Sequence, residues 1–118
     1  MANDKDFILK NPVVIGGPTN VTLGSITSSD IDLATGNYFS DTLTANTTYT
    51  ISNAGDVQAF QLEVTGGSTY TITWPSSIEW AGGVAPSAPA GGETDVFTIA
   101  TDDGGTTYTG VKTADNLS

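Results

Sequence analysis

The sequence holds no histidine, no cysteine and no arginine, and its only cations are three lysines. Each absence removes a class of chemistry. Without cysteine there is no disulfide framework, thiol nucleophile or thiolate zinc site. Without histidine there is no Ser-His-Asp triad, no imidazole base near neutral pH and no imidazole metal ligand. Three cations against thirteen carboxylates leave a formal charge of −10. Such a surface cannot neutralise a phosphate backbone, so nucleic acid is not an expected partner. Long apolar runs are also missing. No segment approaches the ~20 residues of a membrane-spanning helix, and no membrane partner is expected. Met1 to Asp6 carry no apolar stretch of the kind a secretory signal needs, so none is expected. Residues that favour helices are few, with three glutamates and one methionine.

What the chain does have is threonine, at 20 of its 118 positions, followed by 14 glycines. Threonine is β-branched and suits strands, while glycine and asparagine mark turns. A length of 118 fits one domain, or one domain with an arm. Hydrophobic residues make up 37%, enough to fill a core from one face of each strand while the other face stays polar.

The alternation is clearest after Val21. Tyr49 and Ile51 share one face, against Thr48, Thr50 and Ser52. Phe60, Leu62 and Val64 alternate with Gln61 and Glu63, and Gly66-Gly67-Ser68 closes that run. Tyr70, Ile72 and Trp74 alternate with threonines until Pro75, which cannot continue a ladder. Phe97, Ile99 and Thr101 alternate with Val96, Thr98 and Ala100. Asp102-Asp103-Gly104-Gly105 is a hairpin signal, with Tyr108 and Val111 on the return strand. Thr-Thr-Tyr-Thr occurs at Thr47–Thr50 and again at Thr106–Thr109, each reading as a strand start with tyrosine inward. Seven or eight short strands separated by turns predict an all-β fold. The expected form is an antiparallel β-sandwich or jelly-roll-like domain over residues 19–118. Trp80 to Gly92, rich in Gly, Ala and Pro, reads as a surface loop.

Residues 1–18 read as an extended N-terminal arm. Phe7, Ile8, Leu9, Val13, Val14 and Ile15 flank Asn11-Pro12, and Gly16-Gly17-Pro18 breaks the chain. Two destinations satisfy these apolar side chains: an edge of the domain's own sheet, or a groove on a neighbouring molecule.

Carboxylate pairs have competing readings. Asp30 and Asp32 are either two calcium ligands or outward carboxylates with Ile31 and Leu33 inward; the second is expected, because a calcium loop gathers more ligands. Asp102 and Asp103 read as turn residues. Glu79 between Trp74 and Trp80 is the one arrangement reminiscent of glycoside hydrolysis, and a strand-end carboxylate beside core aromatics is the expected alternative. Trp74 follows the inward pattern. Trp80 is divided between core or interface packing and a surface-loop contact, and with Trp74 and Tyr70 it could make a sugar-stacking platform. No enzymatic activity, metal or cofactor is expected.

One further pattern is carried by several segments in order. These are Thr73-Trp74-Pro75-Ser76, Gly82-Gly83 with Ala85-Pro86, and Asp102-Asp103-Gly104-Gly105-Thr106-Thr107-Tyr108. With the opening Asn3–Asn11 and Asp32–Phe39, they resemble a module of small virion structural proteins of tailed phages, marine and cyanobacterial ones among them. The same module occurs in decoration and tail-fibre-like proteins. The resemblance implies a non-enzymatic β-rich structural protein, usually oligomeric. It implies that Trp74 and Tyr108 pin two core strands and that Gly104 and Gly105 permit the hairpin backbone. Fibre proteins carry the module on a long chain, whereas here it follows only a short arm. The expected role is therefore a capsid decoration (cement) protein on the outer capsid surface of the virion. The major capsid protein or another virion protein is the expected partner, a homotrimer the expected assembly, and the arm residues carry docking. A tail or tail-fibre-base component and a glycan-binding adhesion module are the alternatives.

Overall fold

The computed structural model describes residues 21–118. Threonine-rich alternation becomes ten strands: β1 (Ile26–Thr27), β2 (Asp30–Asp32), β3 (Tyr38–Thr42), β4 (Thr47–Thr48), β5 (Thr50–Ser52), β6 (Gln58–Thr65), β7 (Ile72–Thr73), β8 (Ile78–Trp80), β9 (Thr94–Thr101) and β10 (Tyr108–Leu117). They form a five-stranded sheet in the order β3-β6-β9-β10-β8, a three-stranded sheet β1-β2-β5, and the pair β4-β7.

The period-2 pattern decides which face is buried. In the β6–β9 ladder Phe60 lies opposite Ile99 and Leu62 opposite Phe97, while Phe39 of β3 lies opposite Leu62. These five side chains are buried and form the inner face of the large sheet. Phe39 and Phe60 meet edge to face at 5.7 Å. Ile31, Leu33, Leu43 and Tyr49 close over them from the smaller sheets and their connections, with Ile26, Ile51 and Ile72 packed at the margin. The fold is thus all-β and layered like a sandwich.

Strand direction differs from the expected all-antiparallel arrangement. β3–β6, β8–β10, β2–β5 and β4–β7 are parallel, and β1–β2, β6–β9 and β9–β10 antiparallel. The cause is the route of the chain. Between β3 and β6 it crosses to the other layer to make β4 and β5, so it re-enters the large sheet in the same direction. Alternation within a strand carries no information about that route.

The Asp102–Thr107 connection between β9 and β10 is the turn anticipated from its glycines. Gly104 and Gly105 hold φ at 73° and 90°, conformations that side chains resist. Thr101 Oγ1 accepts the Gly105 N–H at 2.9 Å. The Asp103 carboxylate accepts the Thr107 N–H at 2.9 Å and also the Thr107 hydroxyl. These hydrogen bonds hold the Asp103 pKa down at about 2. Tyr108, just beyond, is buried, as is Tyr49, so both repeated tyrosines point inward.

Candidate functional site

Pro75 ends β7 and leaves Trp74 at the strand's exit, half-buried. Its ring stacks on Tyr49 (5.6 Å, 30°) and meets Phe97 (4.8 Å) and Trp80 (4.9 Å) edge to face. Trp74 Nε1 donates to the Pro86 carbonyl at 2.9 Å. That bond ties the segment after Trp80 across the tryptophan. The segment opens with a short 3-10 turn, Ala81–Gly83, and then runs without strand structure to Gly91, where it bridges Gly66. The anticipated loop is therefore present, and it begins one residue later than expected.

Trp80 itself stands where strand meets loop. It is the last residue of β8, half-buried, with its ring edge-on to Trp74 and 6.0 Å from Phe97. Gly110 of β10 lies in register beside it, leaving room for the indole. Trp80 Nε1 is closed off from solvent and has no hydrogen-bond partner among the described residues. Aromatic packing in the core thus takes up part of this side chain.

Beside the cluster lies a cleft of about 580 Å³. Tyr70, Trp74, Trp80 and Pro86 form its walls, with Ile72 and Ile78 beneath. Thr71, Thr73, Ser76 and Ser87 also line it, each bearing a hydroxyl. Among the described residues no charged side chain lines it. Tyr70, Trp74 and Trp80 were each singled out in the sequence, and the structure brings them together. Pro86 was noted only as part of a motif and Ile78 not at all; the whole lining comes from the stretch Tyr70–Ala88, which folds back so that the Pro86 carbonyl meets Trp74.

Asp30 and Asp32 serve the fold as hydrogen-bond acceptors. Asp30 accepts hydrogen bonds from Thr50 Oγ1 (2.7 Å) and Ser52 Oγ (2.6 Å), joining β2 to β5. Asp32 accepts from Asn53 Nδ2 (2.8 Å) and the Ala34 N–H (3.0 Å), and both contacts lower its pKa. Glu79 alternates with Ile78 and Trp80 and faces the opposite side of the large sheet, near Thr109. It does not line the cleft, and among the described residues no second carboxylate lines the depression where it stands. Among the described residues no three His, Cys, Asp or Glu side chains gather as a metal site.

That outer sheet face is the other broad surface. Gln61 Nε2 donates to Thr98 Oγ1, and Thr98 Oγ1 donates to Thr113 Oγ1, both at 3.3 Å. Val111, paired with Thr98, stands exposed beside them, and Val57 is exposed near Thr101 at the end of the same sheet. The arm residues Phe7, Ile8, Leu9, Val13, Val14 and Ile15 lie outside the described residues.

No family model, no curated protein and no solved structure matches the chain.

Proposed function

We propose that the chain is a structural protein of a tailed-phage particle, a capsid decoration (cement) protein. It binds the outer capsid surface through residues 1–18 and stabilises the shell as one of many repeated copies, with a homotrimer as its assembly. One observation carries this reading: the partition of charge. Asp4 and Asp6 balance Lys5 and Lys10 in the first twenty residues. The other eleven carboxylates and Lys112 fall in residues 21–118, so the whole −10 resides there.

That division suits a repelling, outward-facing domain on a neutral apolar anchor. Each arm side chain buried against a partner would contribute roughly 1.5–3 kcal/mol before ordering costs. The resemblance of the sequence motifs to those of phage virion proteins supports the same reading. So does the role of the carboxylates at hand, which serve as hydrogen-bond acceptors between strands.

The test is copy number in purified particles, measured by quantitative staining and an antibody against this chain. Decoration requires on the order of hundreds of copies, because a closed symmetric shell repeats each site many times. A dozen or fewer would assign the chain to the tail, and absence from particles would remove the virion reading. A variant lacking residues 1–18 should remain folded and lose shell binding; full occupancy by that variant would overturn docking by the arm.

A further inference from the structure

We propose that the cleft between Tyr70, Trp74, Trp80 and Pro86 binds an uncharged saccharide. Its volume, about 580 Å³, falls within the range of roughly 300–1,000 Å³ typical of small-ligand sites. Chemistry then narrows the occupant. A domain of net charge −10 repels acidic sugars, nucleotides and phosphates. Among the described residues no carboxylate lines the cleft to pair with an ammonium or guanidinium group, and an aromatic face alone holds such a cation by only about 0.5–2 kcal/mol. The occupant is therefore neutral.

The lining selects further. Aromatic and proline faces pack against C–H surfaces, and the hydroxyls of Thr71, Thr73, Ser76 and Ser87 give and accept hydrogen bonds around them. A pyranose ring has that same division, with C–H patches on its faces and hydroxyls around its edge. A purely apolar ligand would leave the four hydroxyls unused.

The walls are also held in place before any ligand arrives. Trp74 is fixed by Tyr49 and Phe97 on its ring and by the Pro86 carbonyl on its N–H. Trp80 is fixed over Gly110. Little ordering cost remains for these side chains on binding. The Pro86 segment, anchored to Trp74 and flanked by Gly82-Gly83 and Gly91-Gly92, sets the width of the opening.

Trp74 and Trp80 are the chain's two tryptophans, so their fluorescence reports the cleft directly. The experiment titrates the full chain with maltohexaose, cellohexaose, chitohexaose and mannohexaose, with heparin oligosaccharides and a proline-rich decapeptide as comparisons. A saturable shift in emission with at least one neutral hexasaccharide, and none with heparin, is expected. Ser76→Glu places a carboxylate at an exposed position on the rim and should weaken that binding at least tenfold. Val57→Glu, on the far face of the large sheet, should leave it unchanged. Tyr70→Ala should weaken it similarly, and circular dichroism separates lost binding from lost folding. A flat response to all four sugars overturns the proposal. So does saturable binding of the peptide alone, or sugar binding that survives Ser76→Glu. The assignment to virions is independent and stands or falls on copy number.

Discussion

Gly110 lies beneath the indole of Trp80. A Cβ at position 110 would stand 2.8 Å from Cε3 and Cζ3 of that ring, with the Ile78 Cγ2 at 2.9 Å. The neighbours are parts of a packed cluster, so they cannot yield cheaply. The missing side chain on β10 is what lets Trp80 sit between the sheet and Trp74.

Gly110→Ala should therefore cost about 1–3 kcal/mol, the usual penalty for overpacking a filled site. Urea unfolding measures it. Because Trp80 must shift, tryptophan emission and near-ultraviolet circular dichroism of the folded variant should change as well. A variant with native stability and native emission would show that the ring moves freely.

Tyr49 donates its hydroxyl to Asp41 Oδ2 at 2.6 Å from a buried position. Burial raises its pKa first, and the hydrogen bond and charge of Asp41 raise it further. Since the fold favours the neutral phenol, stability is complete below the unfolded tyrosine pKa of about 10 and falls as pH rises beyond it. Tyr49→Phe should lose about 0.5–1.5 kcal/mol near neutrality, the net worth of a hydrogen bond. It should also lose stability less steeply above about pH 10 than the unsubstituted chain. Some slope will remain, because burial and then Asp103 raise the pKa of Tyr108 too. Urea midpoints measured across that range give the comparison; parallel curves would contradict it.

Asp103 supplies the acid limb. Its pKa is held at about 2, chiefly by the Thr107 hydroxyl and N–H. The stabilisation is present above the unfolded aspartate pKa of about 3.9 and is lost as pH falls toward about 2. Asp103→Asn should melt lower than the parent at pH 7 and converge with it near the bottom of that window. The check is a melting-temperature series in acid. A constant gap between the two at all pH values would place the effect elsewhere than in the charge.

The all-β class and most facing directions were legible because alternation is a local signal. Phe60, Leu62 and Val64 had to be buried together, and the two tyrosines of Thr-Thr-Tyr-Thr turned inward as the pattern required. Parallel pairing of β3 with β6 was not legible, since it depends on where the chain travels between them. Trp80 stood at the boundary of both kinds of information. Its neighbours in sequence, Gly82 and Gly83, signal a loop, whereas its place in β8 follows from pairing with Gly110, thirty residues later. Asp95 was given no facing direction in the sequence, and it falls on the inward register of β9 opposite Val64.

Asp95 is only 2% exposed, and its burial sets the last prediction. Its oxygens accept the Asn116 N–H at 2.8 Å and lie 3.5 Å from Lys112 Nζ, the single cation of residues 21–118. Burial works against the charge of Lys112, but the hydrogen bond to Asp115 and the attraction of both carboxylates outweigh it and raise its pKa. Lys112 is therefore charged at neutral pH. Lys112→Met keeps the aliphatic stem and removes the charge, leaving Asp95 with the backbone donor alone. Removing one partner of a fully buried pair costs about 3–5 kcal/mol. Lys112 is 28% exposed, so water offsets part of that loss and about 1–3 kcal/mol is expected here. Adding Asp95→Asn to Lys112→Met removes the stranded charge and should recover part of the stability. A double-mutant cycle by urea unfolding measures the coupling. If the two substitutions prove additive, Asp95 draws its support from the Asn116 N–H and not from the lysine.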